Sequence, residues 1–418
     1  MRAQHNPSWR RVVGAAALAV ATISGAATAN AQGTTLTLMF LGSYQAANEQ
    51  AIAGFQKENP DITIKASYTA EPQSIRALFT TGNAPDIPMV YPGDGSAIAV
   101  KQLARAGLLE DLSGEAWAKT VSPSFIQSVT FQDKVYVLPT GYSYIAMYAN
   151  DEVMKSVGAT VPRNFADLLS FCDKAKATTI PMAFGLKEQL PVLFPGYALA
   201  ASTAFADNAR FAEDQASGKA SFSSGYRASM EMYLQMRDHG CFSKDASGNS
   251  NDDALRQVAG GKAGLYVGVI NYLPLIMKYN PDAKIIQAPF PGNTDAAKVR
   301  LPLGPTPGYG VSSQSKNKAA AKKFIAYLQR PEVNRAWALA AAQLAGADID
   351  AAPQTPGNSE AIRELLVAKR TVLYLDRAWP NARIQPVYMA GVQQLFAGQT
   401  TIEALLKRLD DAYALGAQ

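Results

Sequence analysis

Hydrophobic and polar residues alternate through TTLTLMFLGSY, which predicts a strand from Thr35 to Phe40 that stops at a Gly42 turn. A helix over Ala46 to Glu58 follows. Next come the turn and strand of NPDITIKASY, a helix from Gln73 to Thr80 ending at Gly82-Asn83, and a third strand with its loop in APDIPMVYPGDG. Strands alternating with helices imply a parallel sheet covered on both faces. Ligands of such sheets sit beyond the carboxyl ends of the strands. That rule selects Ser43, Tyr44 and Gln45 after the first strand, and Tyr91 and Asp94 after the third. The competing roles are an exposed ring for Tyr44 and a turn-organising carboxylate for Asp94.

The pattern changes at DKVYVLPTGYSYIAMYAND, from Asp133 to Asp151. A strand, a Pro139-Thr140-Gly141 break and a second strand suggest a hinge, because Pro removes a ladder donor and Gly weakens pairing inside a core strand. The alternative is a bent strand within one domain. A hinge places Tyr142, Ser143 and Tyr144 beside a cleft. Beyond it, Phe165 to Ala177 is amphipathic, with Phe165, Leu168, Leu169 and Cys172 on one face, and IPMAFGL reads as a strand. A helix from Ser224 to Asp238 runs into His239-Gly240-Cys241. The later helix Lys318 to Gln329 carries Ala321, Phe324, Ile325 and Leu328 on one face, with Ser315 as its N-cap.

Several stretches also carry a family resemblance. FQKENPDITIK is similar to F-x-x-x-NP-x-I-x-V, TTGNAPDIPMVY to G-x-x-PD-V, and VLPTGYSYIAMYAND with VPRNFADLLS to a crossing strand and the helix after it. QVAGGKAGLYVGV, YGVSSQSKNKAAAKKFIAYLQRPEVNRAW and GQTTIEALL extend the match from residue 33 to residue 415. Together they resemble the family 1 extracellular solute-binding proteins, the maltose-binding-protein-like receptors of ABC importers. The resemblance implies an α/β, two-lobed periplasmic binding protein fold of type II, with a ligand cleft between lobes joined by a hinge of crossing segments. The implied N-terminal lobe is 32–141 plus about 270–328, and the C-terminal lobe is 142–269 plus about 329–418, with a return crossing near Val269 to Tyr272. The family's carboxylate and its aromatic before a Pro fall on Glu188 and Phe194. Its Gly-x-Trp region falls on Val269 to Tyr272 and adds Asn271 and Tyr272, and Tyr309 joins from the most specific stretch.

Composition narrows the chemistry. Arg2, Arg10 and Arg11 precede an Ala-rich apolar run ending in Ala29-Asn30-Ala31, which reads as a signal peptide over residues 1–31, cleaved by the general secretory or the twin-arginine route. No Cys follows it to take a lipid, so a soluble periplasmic protein is expected. Taking those three arginines from 39 basic residues leaves 36 against 34 acidic ones, and no basic patch interleaved with aromatics points to nucleic acid. GGKAG is a helix stop, since Arg256 and Ala263 stand where a phosphate loop needs Gly and a hydroxyl. Beyond the leader the one histidine, His239, sits at a helix end. No GxSxG, HExxH or metal-spaced Cys/His set is present, and the tyrosines of YSY do not match a tyrosine-based iron site. The expected protein therefore has no metal or cofactor and no catalytic residue. It is a monomer that captures a carbohydrate by hinge closure and hands it to the permease subunits of an ABC importer. The rival ligands are a glycerol phosphodiester, for which Arg383 is the placed cation, and a polyamine, which needs several cleft carboxylates. A glycosidase using Asp94 and Glu188 is the rival from another class. Finally, export into an oxidising compartment makes Cys172 and Cys241, at adjoining helix positions of one lobe, a candidate disulfide, against a merely buried Cys172.

Overall fold

The computed structural model describes residues 33–69, 73–188, 190–243, 246, 248–351 and 360–416; the segment expected to be a signal peptide, 1–31, lies outside the described residues. Two sheets organise the chain. In the first, Thr34–Leu41 lies between Ile62–Thr69 and Ile87–Val90, both parallel to it, and Gly308–Tyr309 closes the edge antiparallel to Ile87–Val90. The alternation read from sequence is the burial pattern: Leu36, Leu38 and Phe40 face the core, while Thr35 and Thr37 are exposed. Helices Gln45–Glu58 and Lys318–Leu328 supply Phe55 and Phe324, whose rings meet edge to face at 5.2 Å.

The second sheet is built on Gly141–Asn150, a strand whose ten residues are all buried. Two partners lie along each of its edges, all antiparallel: Leu301–Pro305 and Ile285–Ala288 on one, Leu344–Ala345 and Ala263–Val269 on the other. This sheet is of mixed orientation, unlike the parallel sheet expected from the strand-helix rhythm of the first segment. Helix Leu193–Ser202, buried at every position, packs on it with Arg227–Asp238, Ile384–Phe396 and Ile402–Ala414 around the largest core cluster. Each fully buried Leu or Phe there is worth about 1.5–3 kcal/mol of transfer free energy.

The sheets are joined where the chain crosses between them, and two expected boundaries move. Val137 and Leu138 belong to the first core and Tyr142 and Tyr144 to another, so the chain first passes between cores at Pro139-Thr140-Gly141. The return is not at Val269 to Tyr272. Ile270 stays hydrogen-bonded to Tyr144, and Ile285–Ala288 and Leu301–Pro305 still pair with the long strand, so the chain crosses back only at Thr306-Pro307. Likewise Pro331–Ala340, assigned to the C-terminal lobe, packs Trp337 and Ala338 into the first core, and the third crossing follows it at Gln343 to Gly346. Alternating patterns identify strands, but not which of two sheets a strand joins.

Smaller expectations also shift. Helix Lys318–Leu328 is entered through Asn317, not Ser315, whose hydroxyl donates to Asp86 and accepts from the Asn317 N–H at 3.0 Å. The helix expected from Ser224 breaks into Phe222–Gly225 and Arg227–Asp238. That second helix ends at Gly240, φ 70°, which turns the chain so that the Cys241 N–H bonds back to the Met236 carbonyl at 2.9 Å. The turn carries Cys241 to Cys172 on helix Phe165–Ala175, and the two are joined with Cα atoms 4.8 Å apart.

Both cysteines are fully buried, and neither lines the cavity described below. A bridge spanning 69 residues stabilises by about 4 kcal/mol on the chain-entropy model. Reduction, or the double change Cys172→Ala and Cys241→Ala, is expected to lower the melting temperature while leaving ligand affinity unchanged. Two free thiols in the denatured, unreduced protein would contradict the bridge.

Candidate functional site

One cavity of about 390 Å³ is lined from both sheets, within the range of about 300–1,000 Å³ usual for small-molecule sites. Its walls are mostly strand ends. Leu41, Ser43 and Tyr44 follow the first strand and Tyr91 the third, Asn271 and Tyr272 follow Ala263–Val269, and Tyr374, Asp376 and Arg377 follow Thr371–Leu373. Ser143 and Ile145 come from the long strand, Phe194 and Tyr197 from helix Leu193–Ser202, and Thr306 and Gln343 from the crossings.

The aromatic walls are held by other rings. Tyr44 stacks on Trp337 at 5.7 Å and 9°, with Phe40 edge-on at 5.4 Å. Phe194 meets Tyr272 edge to face at 5.8 Å, and Tyr197 meets Trp379 at 5.9 Å. These offset and edge contacts fix ring orientation at about 0.5–1.5 kcal/mol each. Burial raises the pKa of Tyr44, Tyr91, Tyr197 and Tyr374, and pushes Tyr272 up to about 12. All five therefore keep their protons near neutrality and act as neutral hydrogen-bonding groups, which also disfavours the phenolate that a tyrosine-based metal site uses.

Asp376 and Arg377 are the only charged residues in the lining among the described residues. They pair with each other at 2.9 Å, both side chains about nine-tenths buried, and the guanidinium lies over the rings of Tyr91 (5.8 Å) and Tyr374 (5.7 Å). Around them, buried polar atoms lack a partner within the protein: Ser143 Oγ, Tyr197 OH, Tyr374 OH, Gln343 Oε1, Asp376 Oδ1 and Arg377 Nε. The Tyr374 hydroxyl neighbours Ser143, and that of Tyr197 neighbours Gln385, without either pair closing to hydrogen-bonding geometry. An orphaned buried polar group costs about 1–3 kcal/mol, so such a cluster marks a place where a ligand's own donors and acceptors are wanted.

Of the residues selected from sequence, Ser43, Tyr44, Tyr91, Ser143, Phe194, Asn271 and Tyr272 meet at this cavity. The others lie elsewhere. Gln45 is exposed and donates to Glu49 at 2.6 Å. Asp94 is buried, but accepts from Gln102 at 2.7 Å and Arg105 at 3.1 Å. Tyr142 packs on Phe125 at 4.8 Å, and Tyr144 donates to Gln287 at 2.7 Å in the core on the strand's other face. Glu188 is exposed and accepts from the Asn251 N–H at 2.7 Å. Tyr309 is buried against Phe40 and donates to Asn48. Arg383 is exposed at the entry to helix Ile384–Phe396. Sequence reasoning missed Tyr197, Gln343, Tyr374, Asp376, Arg377 and Gln385. The strand-end rule applied to TVLYLDR would have found Tyr374 and the ion pair.

The described residues contain no group of three or more His, Cys, Asp or Glu placed to hold a metal ion, and no helix long and apolar enough to cross a membrane.

A multiple sugar-binding protein of Streptococcus mutans is 22% identical over 286 residues, 67% of either chain. A structure concerned with xylan utilization by the thermophilic bacterium Caldanaerobius polysaccharolyticus superposes with a TM-score of 0.77 at 24% identity, covering 90% of this chain and 99% of that one. A sugar transporter of Bacillus licheniformis in complex with stachyose superposes with a TM-score of 0.70 at 20% identity, covering 92% of this chain and all of that one. Residues 50–355 match the family described as bacterial extracellular solute-binding protein. The chain therefore belongs to the bacterial extracellular solute-binding proteins, with their two-lobed α/β fold.

Proposed function

We propose that this protein is a receptor for a neutral carbohydrate, taken up between the lobes by closure and delivered to the permease subunits of an ABC importer. The cavity's charge carries this reading. Among the described lining residues one cation and one anion neutralise each other, and the rest of the wall is aromatic and aliphatic surface with several neutral polar atoms that lack a protein partner. A sugar offers the complement, with apolar ring faces for stacking and hydroxyls that both donate and accept. Stacking contacts of about 0.5–1.5 kcal/mol and hydrogen bonds of about 1 kcal/mol, several of each, reach the roughly −8 kcal/mol of a micromolar complex. Relatives whose names record a multiple-sugar, raffinose or stachyose ligand support the same class.

The rival ligands fit less well. A phosphodiester wants a cation to spare, and Arg377 is already matched while Arg383 lies outside the cavity. A polyamine wants several carboxylates, and Asp376 is the one in the lining. A glycosidase needs two facing carboxyls, whereas Asp94 and Glu188 lie outside the cavity and are engaged with other groups.

Thermal denaturation over a panel of neutral mono- to tetrasaccharides, phosphodiesters and polyamines tests the class. The cognate sugar should add about 2.7 kcal/mol of stability at one hundred times Kd; stabilisation by a polyamine or phosphodiester alone would refute the carbohydrate reading.

Removing single hydroxyls separates site from core. Tyr197→Phe and Tyr374→Phe delete groups unpartnered within the protein, so each should weaken sugar binding by about 1 kcal/mol with no loss of stability. Tyr144→Phe deletes a core hydrogen bond and should do the reverse, costing about 1 kcal/mol of stability with binding intact. Calorimetric titration with paired melting curves reads both, and the opposite pattern would move the site away from this cavity.

A further inference from the structure

The loop after Thr371–Leu373 touches the facing lobe through the Arg377 guanidinium over the Tyr91 ring and, more closely, through its backbone at Gly93 and Gly95. A Cβ on Gly93 would lie 2.6 Å from the Arg377 carbonyl oxygen and 2.8 Å from its Cα, and one on Gly95 would lie 2.6 Å from the Asp376 carbonyl oxygen. No side chain but hydrogen fits there. The glycine loop is itself braced. Its Gly93 N–H donates to the Ser128 carbonyl at 2.6 Å, and Asp94 between the glycines is tied to Gln102 and Arg105. This gives Asp94 a positioning task in place of ligand contact.

The same two residues that dock by backbone line the cavity by side chain. Oδ2 of Asp376 takes Arg377 Nη1 at 2.9 Å and Gln385 at 3.4 Å, which leaves Oδ1 without a protein partner and Nε of Arg377 likewise. The ion pair thus keeps one carboxylate oxygen and one guanidinium N–H without protein partners, an acceptor and a donor, both charge-assisted. Two neighbouring ligand hydroxyls match it, one donating to Oδ1 while the other accepts from Nε. A ligand carboxylate would meet Oδ1 as a second negative charge, and a ligand ammonium would meet the guanidinium.

We propose that Asp376 and Arg377 form a two-sided element, whose side chains read an adjacent pair of ligand hydroxyls while its backbone docks on Gly93 and Gly95. Recognition of the diol and contact between the lobes then occur together. This rests on the carbohydrate reading and adds to it a vicinal diol as the recognised group, exclusion of acidic sugars, and a place where ligand and closure are coupled.

The test uses the full-length mature protein, the neutral saccharide of the panel that binds tightest, and the uronic acid form of that saccharide, with calorimetry for affinity and stopped-flow fluorescence for release. Asp376→Asn should weaken the neutral sugar by about tenfold to a hundredfold and narrow its preference over the acidic form. Gly95 does not have a positive φ, so Gly95→Ala tests the contact without backbone strain. It should weaken binding by about tenfold through faster release, with the ligand-free melting temperature unchanged. Because Gly95→Ala leaves the ion pair intact, it remains informative if Asp376→Asn folds poorly. A wild type that binds the neutral sugar, beside a Gly95→Ala variant with unchanged affinity and release, overturns the proposal and leaves the carbohydrate reading standing. A wild type that binds no neutral saccharide overturns both.

Discussion

Two adjacent carbonyls, those of Thr140 and Gly141, hold the three crossings of this chain together. Gly141 accepts from both the N–H and the hydroxyl of Thr306 at 3.0 Å, and Thr140 accepts from the Asn334 amide at 2.8 Å and the Gly346 N–H at 3.3 Å. Asn334 in turn accepts from the Ala347 N–H at 2.9 Å. Each crossing segment thus finds partners for backbone groups at one point, which a passage between two cores requires. The packing there is close: a Cβ on Gly141 would lie 2.9 Å from the Trp337 ring, and one on Gly308 would strike the Leu138 carbonyl. Gln343 and Thr306, set by these crossings, end up in the cavity wall.

From that junction the binding chemistry follows. Strand ends from both sheets are brought face to face, so aromatic side chains with raised pKa values surround one neutralised ion pair. Polar atoms are packed there without partners, a cost that a hydroxyl-rich ligand removes and that an apolar or singly charged ligand does not. Selectivity on this view comes as much from what the wall would leave unpaired as from what it attracts.

The first sheet was legible because its strands alternate cleanly and its helices are punctuated by Gly, Asn and Pro. The Pro139-Thr140-Gly141 break was legible for the same reason. The long strand was harder. Alternation groups Tyr142 with Tyr144 on one face, but cannot say which face is the cleft when both are buried, and it is Ser143 and Ile145 that line the cavity. The third crossing had no marker at all. Helix Pro331–Ala340 ends through Ala342 at φ 51°, where Gly or Asn would ordinarily announce the turn, and it is this turn that delivers Gln343. Asp94 and Glu188 have the right chemistry, yet nearby cations, amides and a helix N–H claim them, a competition that spacing alone does not reveal.

Closure of the two lobes about these crossings, onto a neutral sugar, is most directly tested by small-angle X-ray scattering of the mature protein with and without saturating ligand. The stitched crossings predict a smaller radius of gyration in the bound state, with scattering that fits a rigid-body rotation of one lobe against the other. An unchanged radius at full saturation would mean that ligand enters without closure, and would contradict a hinge seated at the Thr140-Gly141 junction.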